Sequence, residues 1–346
     1  MNEEDPRNDN IKSSEKISEV YRKCTKLNAN ERPTIIELIR YFYITFHNQI
    51  EFDIFYFNDE NFSNDLLLTM KRIENEIVSP SEIFLIGYHY YIGENNDIEK
   101  AIHYFQIASD RNNSDAQFSL GCIYGDGKYV PIDINKSIHY HSLAADQGHL
   151  KSQFRVAFLY DEGKHVTRNI SKAIHYYTLA SNQNNPRAQN NLGLIYYEGK
   201  YIQQDIEKAI FYFELAARQN IKESQYFLGK IFYFNKKNIE LALKYLKLSA
   251  DSNYPDALFL LGLIYTRKNC ISNAIQYFSM ASNFNHSEAQ LNLGFIYYNK
   301  QLSDYFDINK SLYYFSLSAN NCNPKAQLCL AEIFFEGKFV SKDVNK

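Results

Sequence analysis

The strongest constraint in this sequence is a block of 32 to 37 residues that recurs along most of the chain. In each copy a small residue is followed, three positions later, by a tyrosine or phenylalanine. A second pattern, alanine or serine three positions before a tyrosine, recurs at matching intervals, which indicates tandem repeats. One block is too short to bury its own apolar side chains, so neighbouring blocks must stack. The small residues of the first pattern are Gly87, Gly121, Ala157, Gly193, Gly229, Gly262, Gly294 and Ala331, and those of the second are Ala101, Ser137, Ala173, Ala209, Ala242, Ala274 and Ser311.

Each block predicts two amphipathic helices. The first, helix A, is typified by residues 188–197, and the second, helix B, by residues 205–217. In both segments the apolar residues follow the spacing of one helix face. Seven such pairs are expected between about residues 81 and 320, followed by an eighth helix A at about 324–335. The sequence therefore predicts an all-α solenoid of stacked helix pairs.

The predicted helix ends carry residues that suit them. Aspartates precede helix B, where a side-chain oxygen can cap the first turn, and prolines fall in the first turn of helix A. Glycines follow helix A, where a left-handed residue ends a helix without steric cost. Within helix A, Gly193 and its equivalents are expected to allow a neighbouring helix to approach closely. The expected caps are Asp97, Asp133, Asp205 and Asp307; the prolines are Pro186, Pro255 and Pro324; the left-handed ends are Gly127, Gly163, Gly199 and Gly337, with Asn235 in one repeat.

The combined pattern A-x-x-x-L-G-x-x-Y-x-x-G, loop, D-x-x-K-A-x-x-W-Y-x-x-A-A resembles the Sel-1-like repeat, a relative of the tetratricopeptide repeat. Here tyrosine replaces the family's tryptophan in each repeat. The resemblance implies a right-handed α-α superhelical solenoid. It also implies a non-catalytic adaptor, in signalling or in complex assembly, with helix A lining a concave groove for a partner protein or peptide. The matching residues are Leu192, Gly193, Tyr196, Gly199, Asp205, Lys208, Ala209, Tyr212, Ala216 and Ala217, and the tyrosines at the tryptophan position are Tyr104, Tyr140, Tyr176, Tyr212, Tyr245, Tyr277 and Tyr314.

The segments before the repeats have a different character. Residues 1–16 are charged and polar and are expected to be disordered, residues 47–80 predict a helical connector, and the solenoid is expected over residues 81–346. Residues 17–46 resemble the end of the C-lobe of a protein kinase catalytic domain. The matching residues are Cys24, Arg32, Pro33, Thr34, Glu37 and Leu38, whereas Ala29 replaces the usual proline.

The sequence argues against enzyme activity. Phosphoryl transfer requires a glycine-rich phosphate loop, a strand lysine, a catalytic aspartate and a metal-binding aspartate, and none of these motifs occurs in the chain. We therefore expect a non-catalytic protein without a cofactor. One alternative is that the chain is the C-terminal part of a kinase–Sel-1-like repeat fusion whose catalytic domain lies upstream. Another is a hydrolase like some bacterial Sel-1-like proteins with cysteine-rich repeats, which the presence of only five cysteines disfavours.

Composition narrows the classes of partner. The chain has 37 lysines and arginines against 40 aspartates and glutamates, a net charge of -3. This balance argues against nucleic-acid binding through phosphate contacts and against a polybasic membrane-surface protein. No apolar run approaches the roughly 18 residues of a membrane-spanning helix. The five cysteines lack C-x-x-C spacing and the N-terminus lacks the apolar core of a signal peptide, so we expect a cytoplasmic protein with reduced thiols.

Other residues with possible chemistry favour structural roles. Residues 121–129 contain glycines and a lysine but lack the spacing of a phosphate loop, so they are expected to end a helix. His139 and His141 lie two residues apart and would point to different helix faces, so no metal site is expected. His103, His139 and His175 share one repeat position, which predicts a structural or exposed row.

Partner contacts are expected at helix A positions where the residue type varies while the packing positions repeat. Two such rows lie three residues apart and therefore on one helix face; the alternative is that they face solvent and bind nothing. Acidic residues before the loop glycines predict local ion pairs at solvated helix ends or, alternatively, an acidic strip for a basic partner. The first row is Ser119, Arg155, Asn191 and Asn292; the second is Cys122, Phe158, Leu194, Lys230, Leu263 and Phe295; the acidic residues are Asp126, Glu162, Glu198 and Glu336.

Overall fold

The computed structural model describes residues 78–92 and 97–336 of the 346-residue chain. The predicted disordered N-terminus, the kinase-like segment at 17–46 and most of the predicted connector lie outside the described residues, as does Gly337. These expectations stay predictions.

The described residues form fifteen α-helices joined by short turns, with no β-strand among them, so the predicted all-α solenoid class is confirmed. The seven predicted pairs and the final helix A are all present. Odd-numbered helices are helices A and even-numbered helices are helices B. The helices are α1 (Pro80–Ile92), α2 (Ile98–Asp110), α3 (Ser114–Asp126), α4 (Ile134–Asp146), α5 (Leu150–Glu162), α6 (Ile170–Asn182), α7 (Pro186–Glu198), α8 (Ile206–Ala217), α9 (Lys222–Phe234), α10 (Ile239–Asp251), α11 (Pro255–Arg267), α12 (Ile271–Ser282), α13 (Ser287–Tyr298), α14 (Ile308–Asn320) and α15 (Pro324–Glu336).

The chain divides into two compact units, residues 1–179 and 180–346, and the boundary falls within α6. In the first unit α1 pairs with α2 and α3 with α4, while α2 and α4 also pack on the helix A that follows. In the second unit the pairs are α7–α8, α9–α10, α11–α12 and α13–α14, and each of these helices B packs on the next helix A. Stacking therefore uses both neighbours of a helix B, as a repeat that cannot stand alone requires.

In four of the described pairs the core is a phenylalanine ring that lies over a glycine. In the second unit a Cβ atom on Gly193 would lie 2.5 Å from Cδ1 of Phe213, which is fully buried. Gly294 has the same relation to Phe315, also at 2.5 Å. Real Cβ atoms do not approach a ring this closely, so the predicted close approach is confirmed and its occupant is the aromatic side chain of the paired helix B.

The predicted N-caps of helix B are confirmed. Asp205 Oδ1 accepts a hydrogen bond from the backbone N–H of Lys208 at 2.9 Å, and Asp97 Oδ1 accepts one from Lys100 at 3.1 Å. Asp133 and Asp307 act in the same way. These bonds satisfy backbone donors that the first turn would otherwise leave unpaired. The predicted prolines open α7, α11 and α15.

Three predicted left-handed helix ends are confirmed and one is wrong. Gly127, Gly163 and Gly199 have φ angles of 65°, 65° and 61°. Asn235 instead has φ of -92°, in the right-handed region. The loop that follows α9 is short, and the left-handed residue in it is Lys237, with φ of 56°.

The turns from helix B to the next helix A share a left-handed residue that the sequence analysis overlooked. Asparagine tolerates this conformation better than most residues because its short side chain can bond locally. In one turn the residue is a cysteine, Cys322, with φ of 59°. The asparagines are Asn112, Asn184, Asn220, Asn253 and Asn285, and Gly148 takes this place in the remaining turn.

A repeated glutamine links several helices A to the repeats beside them, although Leu258 takes its place on α11. In the second unit Gln189 Nε2 donates to the carbonyl of Ser181 at 3.4 Å, and Gln219 Nε2 donates to Gln189 Oε1 at 2.8 Å. The side chain thus ties the end of the preceding helix B to the start of the following turn. Gln225 occupies the same position on α9, but its buried Oε1 has no hydrogen-bond partner.

Candidate partner-binding surface

The tyrosines at the family's tryptophan position pack against helix A. Tyr212 stacks on Tyr196 with ring centroids 5.8 Å apart and planes 4° apart. Lys208 lies over the Tyr196 ring at 5.1 Å and pairs with Asp205 at 3.4 Å. Because the ring faces and the lysine charge are used inside the repeat, these positions stabilise the fold and leave little for a partner. Equivalent stacks are Tyr90–Tyr104, Tyr124–Tyr140, Phe232–Tyr245, Tyr265–Tyr277 and Tyr297–Tyr314.

The first predicted row of partner contacts is largely occupied by local bonds. Ser119 Oγ donates to the carbonyl of Asp115 at 2.8 Å, and Asn292 Nδ2 donates to the carbonyl of Glu288 at 2.7 Å. Arg155 is exposed, and its Nη2 lies 3.8 Å from Asp126 Oδ1. Asn191, the remaining member, is half-buried. The structure thus places the row at an accessible edge of helix A while directing several of its polar groups back to the protein.

The second predicted row is more open. Phe158 in the first unit and Phe295 in the second expose 38% and 45% of their area. Cys122, Leu194 and Leu263 are half-buried. Apolar side chains in this state remain available to a partner, because the remaining area can still be removed from water.

Lys230 is the one charged member of the second row in the second unit. Its Nζ lies 5.7 Å from the ring centroid of Tyr197, 5.9 Å from that of Tyr226 and 5.8 Å from that of Phe227. Tyr226 also lies 5.3 Å from Tyr254, ring to ring. We call Leu194, Lys230, Leu263 and Phe295, on α7, α9, α11 and α13, the helix-A surface.

Tyr226, beside Lys230, and its ring neighbour Tyr254 stay neutral well above physiological pH. Burial raises the pKa of Tyr226 to about 12, with a further contribution from the nearby Asp256 carboxylate. Burial, again followed by Asp256, raises the pKa of Tyr254 to about 12. The rings therefore supply apolar faces and no formal charge to this part of the surface.

A chain of polar residues in the first unit was not anticipated from the sequence. His141 Nδ1 lies 3.4 Å from Ser152 Oγ, which lies 3.0 Å from His149 Nδ1, and His149 Nε2 lies 3.6 Å from Asp115 Oδ1. The order Ser–His–Asp is that of a hydrolase triad, but Ser152 is fully buried and cannot reach a substrate. His149 instead caps α5 by accepting the backbone N–H of Ser152.

The remaining predicted residues hold structural positions. The segment 121–129 ends α3, with Gly127 as its left-handed cap. His139 is exposed whereas His141 is buried, so the two imidazoles lie in different surroundings. His103 and His175 are also exposed. Among the predicted acidic residues Asp126, Glu162 and Glu198 are exposed, as either interpretation requires.

A cleft of about 300 Å³ lies between α12, α13 and the loop before α14. Asp304, Asp307, Tyr305 and Lys310 contribute to its lining. Lys310 Nζ pairs with Asp307 at 3.6 Å and lies over the Tyr297 ring at 5.3 Å. Much of the charge in the cleft is therefore already balanced by the repeat's own cap.

Comparison with protein families identifies the repeats. The protein belongs to the Sel1 repeat family, because the family profile matches well over half of the chain. The matched segments are residues 83–113, 114–149, 150–185, 186–221, 222–254, 255–283, 287–321 and 324–346.

Two solved structures share the fold. One is c5321, a protective antigen present in uropathogenic Escherichia coli strains that displays an SLR fold; it aligns with a TM-score of 0.63 at 20% identity, over 94% of this chain and 76% of its own. The other is a Sel1 repeat protein from Oxalobacter formigenes, with a TM-score of 0.62 at 22% identity, over 96% of this chain and 94% of its own. At such identities the likeness establishes the fold alone. No curated protein sequence matches the chain.

Membership of the Sel1 repeat family indicates the kind of role that such repeats usually have. Sel1 repeats generally act as scaffolds for protein–protein interaction, and the solenoid is typically non-catalytic. Within residues 78–92 and 97–336, no helix combines the length and apolar character needed to cross a bilayer.

Proposed function

We propose that this protein is a non-catalytic scaffold that binds a partner peptide on the helix-A surface. The observation that carries the proposal is a row at one repeat position on successive helices A of the second unit. Leu194, Lys230 and Leu263 are half-buried there and Phe295 leaves 45% of its area exposed, whereas the tyrosine and lysine positions of helix B stack within their own repeat. Burial of such residues on binding is the main source of affinity in protein interfaces.

The repeat architecture favours this role energetically. Within the second unit, successive helices A pack through the helices B between them, so little conformational entropy is lost when a peptide binds their row. A helical or extended peptide can contact several repeats at once through side chains at regular spacing. We place the protein in a reducing cytoplasm, in line with the cysteines at Cys122, Cys270, Cys322 and Cys329, each of which is a free thiol.

The test is affinity capture with the whole chain, followed by mass spectrometry, on wild type and two matched variants. Phe295→Asp places a charge on the helix-A surface. Phe211→Asp does the same on α8, at a side chain that is 57% exposed and outside that surface. We expect Phe295→Asp to lower the recovery of specific partners at least tenfold and Phe211→Asp to leave it unchanged. Equal loss in both variants, with unchanged melting temperatures, would exclude the helix-A surface.

A signalling context is a further part of the proposal. It is supported by the kinase-like segment at residues 17–46, which lies outside the described residues. In the alternative, the chain would be the C-terminal part of a kinase fusion, and the solenoid would dock substrates or regulators. A phosphotransfer assay on this chain should show no turnover, because the motifs that hold the nucleotide and metal are missing from its sequence. Measurable turnover that depends on the chain would reverse that assignment.

A further inference from the structure

Lys230 stands out among the lysines of the second unit that lie over aromatic rings. Lys208 and Lys310 also contact tyrosine rings, but each is paired with the aspartate that caps its own helix, Asp205 at 3.4 Å and Asp307 at 3.6 Å. Three further lysines each lie over a single tyrosine ring without an ion pair in the described residues: Lys200, Lys222 and Lys244. For Lys230 the described residues provide three rings and no carboxylate within 4 Å. The rings therefore hold the Lys230 ammonium group in place, and no carboxylate of the described residues neutralises its positive charge.

The three rings prepare this ammonium group for a ligand. A ring face attracts a cation through its quadrupole but carries no net charge, so the full positive charge remains. Holding a long side chain in advance removes part of the entropy cost that a flexible lysine pays on binding. The half-buried, aromatic setting also lowers the local dielectric, which strengthens attraction to an incoming anion.

The residues around Lys230 indicate which peptide residues would flank the anionic group. Along the helix-A surface Leu194 precedes it and Leu263 and Phe295 follow it, so the flanking contacts are apolar. On α9 itself Glu223 lies seven residues before Lys230, about 10 Å along the helix axis. This carboxylate disfavours a long acidic tract and leaves room for a single anionic group at Lys230.

We propose that the helix-A surface recognises a peptide in which one aspartate or glutamate is flanked by large apolar residues, with its carboxylate against Lys230. This inference rests on the proposed function, because it assigns the partner chemistry of the same surface. The apolar flanks cover Leu194, Leu263 and Phe295, and the charge pair sets the register of the peptide.

The test is selection of peptides from a random phage-displayed library on the immobilised whole chain. Wild type should enrich sequences with one Asp or Glu between Leu, Ile, Met or Phe residues. Lys230→Met keeps the side chain over the rings but removes the charge, and it should weaken a selected synthetic peptide at least tenfold. Lys230→Glu should instead enrich Lys or Arg at the same peptide position. Lys208→Met, which removes a lysine outside the surface, is the matched control and should bind like wild type.

The outcomes separate this inference from the proposed function. If selected peptides are lost with Phe295→Asp but bind Lys230→Met and Lys230→Glu as well as wild type, the carboxylate assignment is wrong while the surface is right. If no peptide is selected, or if binding ignores Phe295→Asp, both proposals are overturned. The Lys230 variants should melt cooperatively within a few degrees of wild type, because Lys230 makes no ion pair within the described residues and loses only its ring contacts.

Discussion

His141 occupies the core position at which the other described repeats bury an aromatic or leucine side chain. It is 1% exposed, and a Cβ atom on Gly121 would lie 2.6 Å from its Nδ1. Burial lowers the pKa of His141 to about 3, and the neighbouring charges of Arg155 and His149 act in the same direction. The fold therefore holds this imidazole in its neutral form. The equivalent residues are Phe105, Tyr177, Phe213, Leu246, Phe278 and Phe315.

This arrangement makes stability depend on pH. The folded pKa of about 3 lies below the ordinary 6.5, so the unfolded state binds more protons in between and stability is lost as the pH falls through that range. At pH 5 the loss from His141 amounts to about 2 kcal/mol. His141→Phe, a residue that lies over Gly193 and Gly294 elsewhere, should remove this loss. Denaturant unfolding at pH 7 and pH 5 gives the free energy of unfolding at each pH. An equal decrease between the two pH values in wild type and variant would contradict the account.

Cys322 carries a strain that its equivalents avoid. Its φ of 59° lies in the left-handed region, where five equivalent turns use asparagine. Cys322→Asn should therefore stabilise the protein by up to about 1 kcal/mol. The reverse change, Asn285→Cys, should destabilise it by a similar amount. Both shifts are measurable by chemical denaturation, and an unchanged midpoint in both variants would show that the turn tolerates either residue.

At the scale of elements, the glutamine near the start of helix A makes hydrogen bonds between successive repeats, and these bonds differ from one junction to the next. Gln189 is satisfied on both sides, but Gln225 on α9 leaves Oε1 without a partner. The residue equivalent to Gln219 in the next repeat is Ser252, whose side chain is shorter. The α9–α10–α11 junction thus lacks one hydrogen bond that the α7–α8–α9 junction has.

Ser252→Gln should restore this bond. A buried acceptor that gains a donor contributes about 1 kcal/mol, so the variant should unfold at higher denaturant concentration than wild type. Ser252→Ala adds no donor and serves as the control. If both variants shift the midpoint equally, the gain comes from helix propensity at the end of α10 and not from the glutamine.

The helices and their caps could be predicted from sequence because each rests on a local signal. Asp205 begins α8 and Gly199 ends α7 through bonds within a few residues. Asn235 was mispredicted since a shorter loop moved the left-handed residue to Lys237. Tyr226 and Phe227 lie four and three residues before Lys230 on α9, but Tyr197 lies on α7, so only the packed structure brings the third ring to Lys230.

At the scale of the whole molecule, the repeat period alone established the class of fold, and the Sel1 family match agrees with it. The partner rows were placed on helix A by resemblance and stay a prediction. What the structure adds is a physical difference within those rows. The polar row of Ser119 and Asn292 bonds to its own helices, whereas the row of Leu194, Lys230, Leu263 and Phe295 stays accessible.

The most direct test of partner binding on helix A is photo-crosslinking. A selected peptide carrying a benzophenone group would be irradiated with the whole chain, and the modified residues would be mapped by mass spectrometry. We predict cross-links on α9, α11 and α13, centred on Leu263 and Phe295. Cross-links concentrated on α8 and α14, at the exposed Phe211 and Tyr313, would contradict the account.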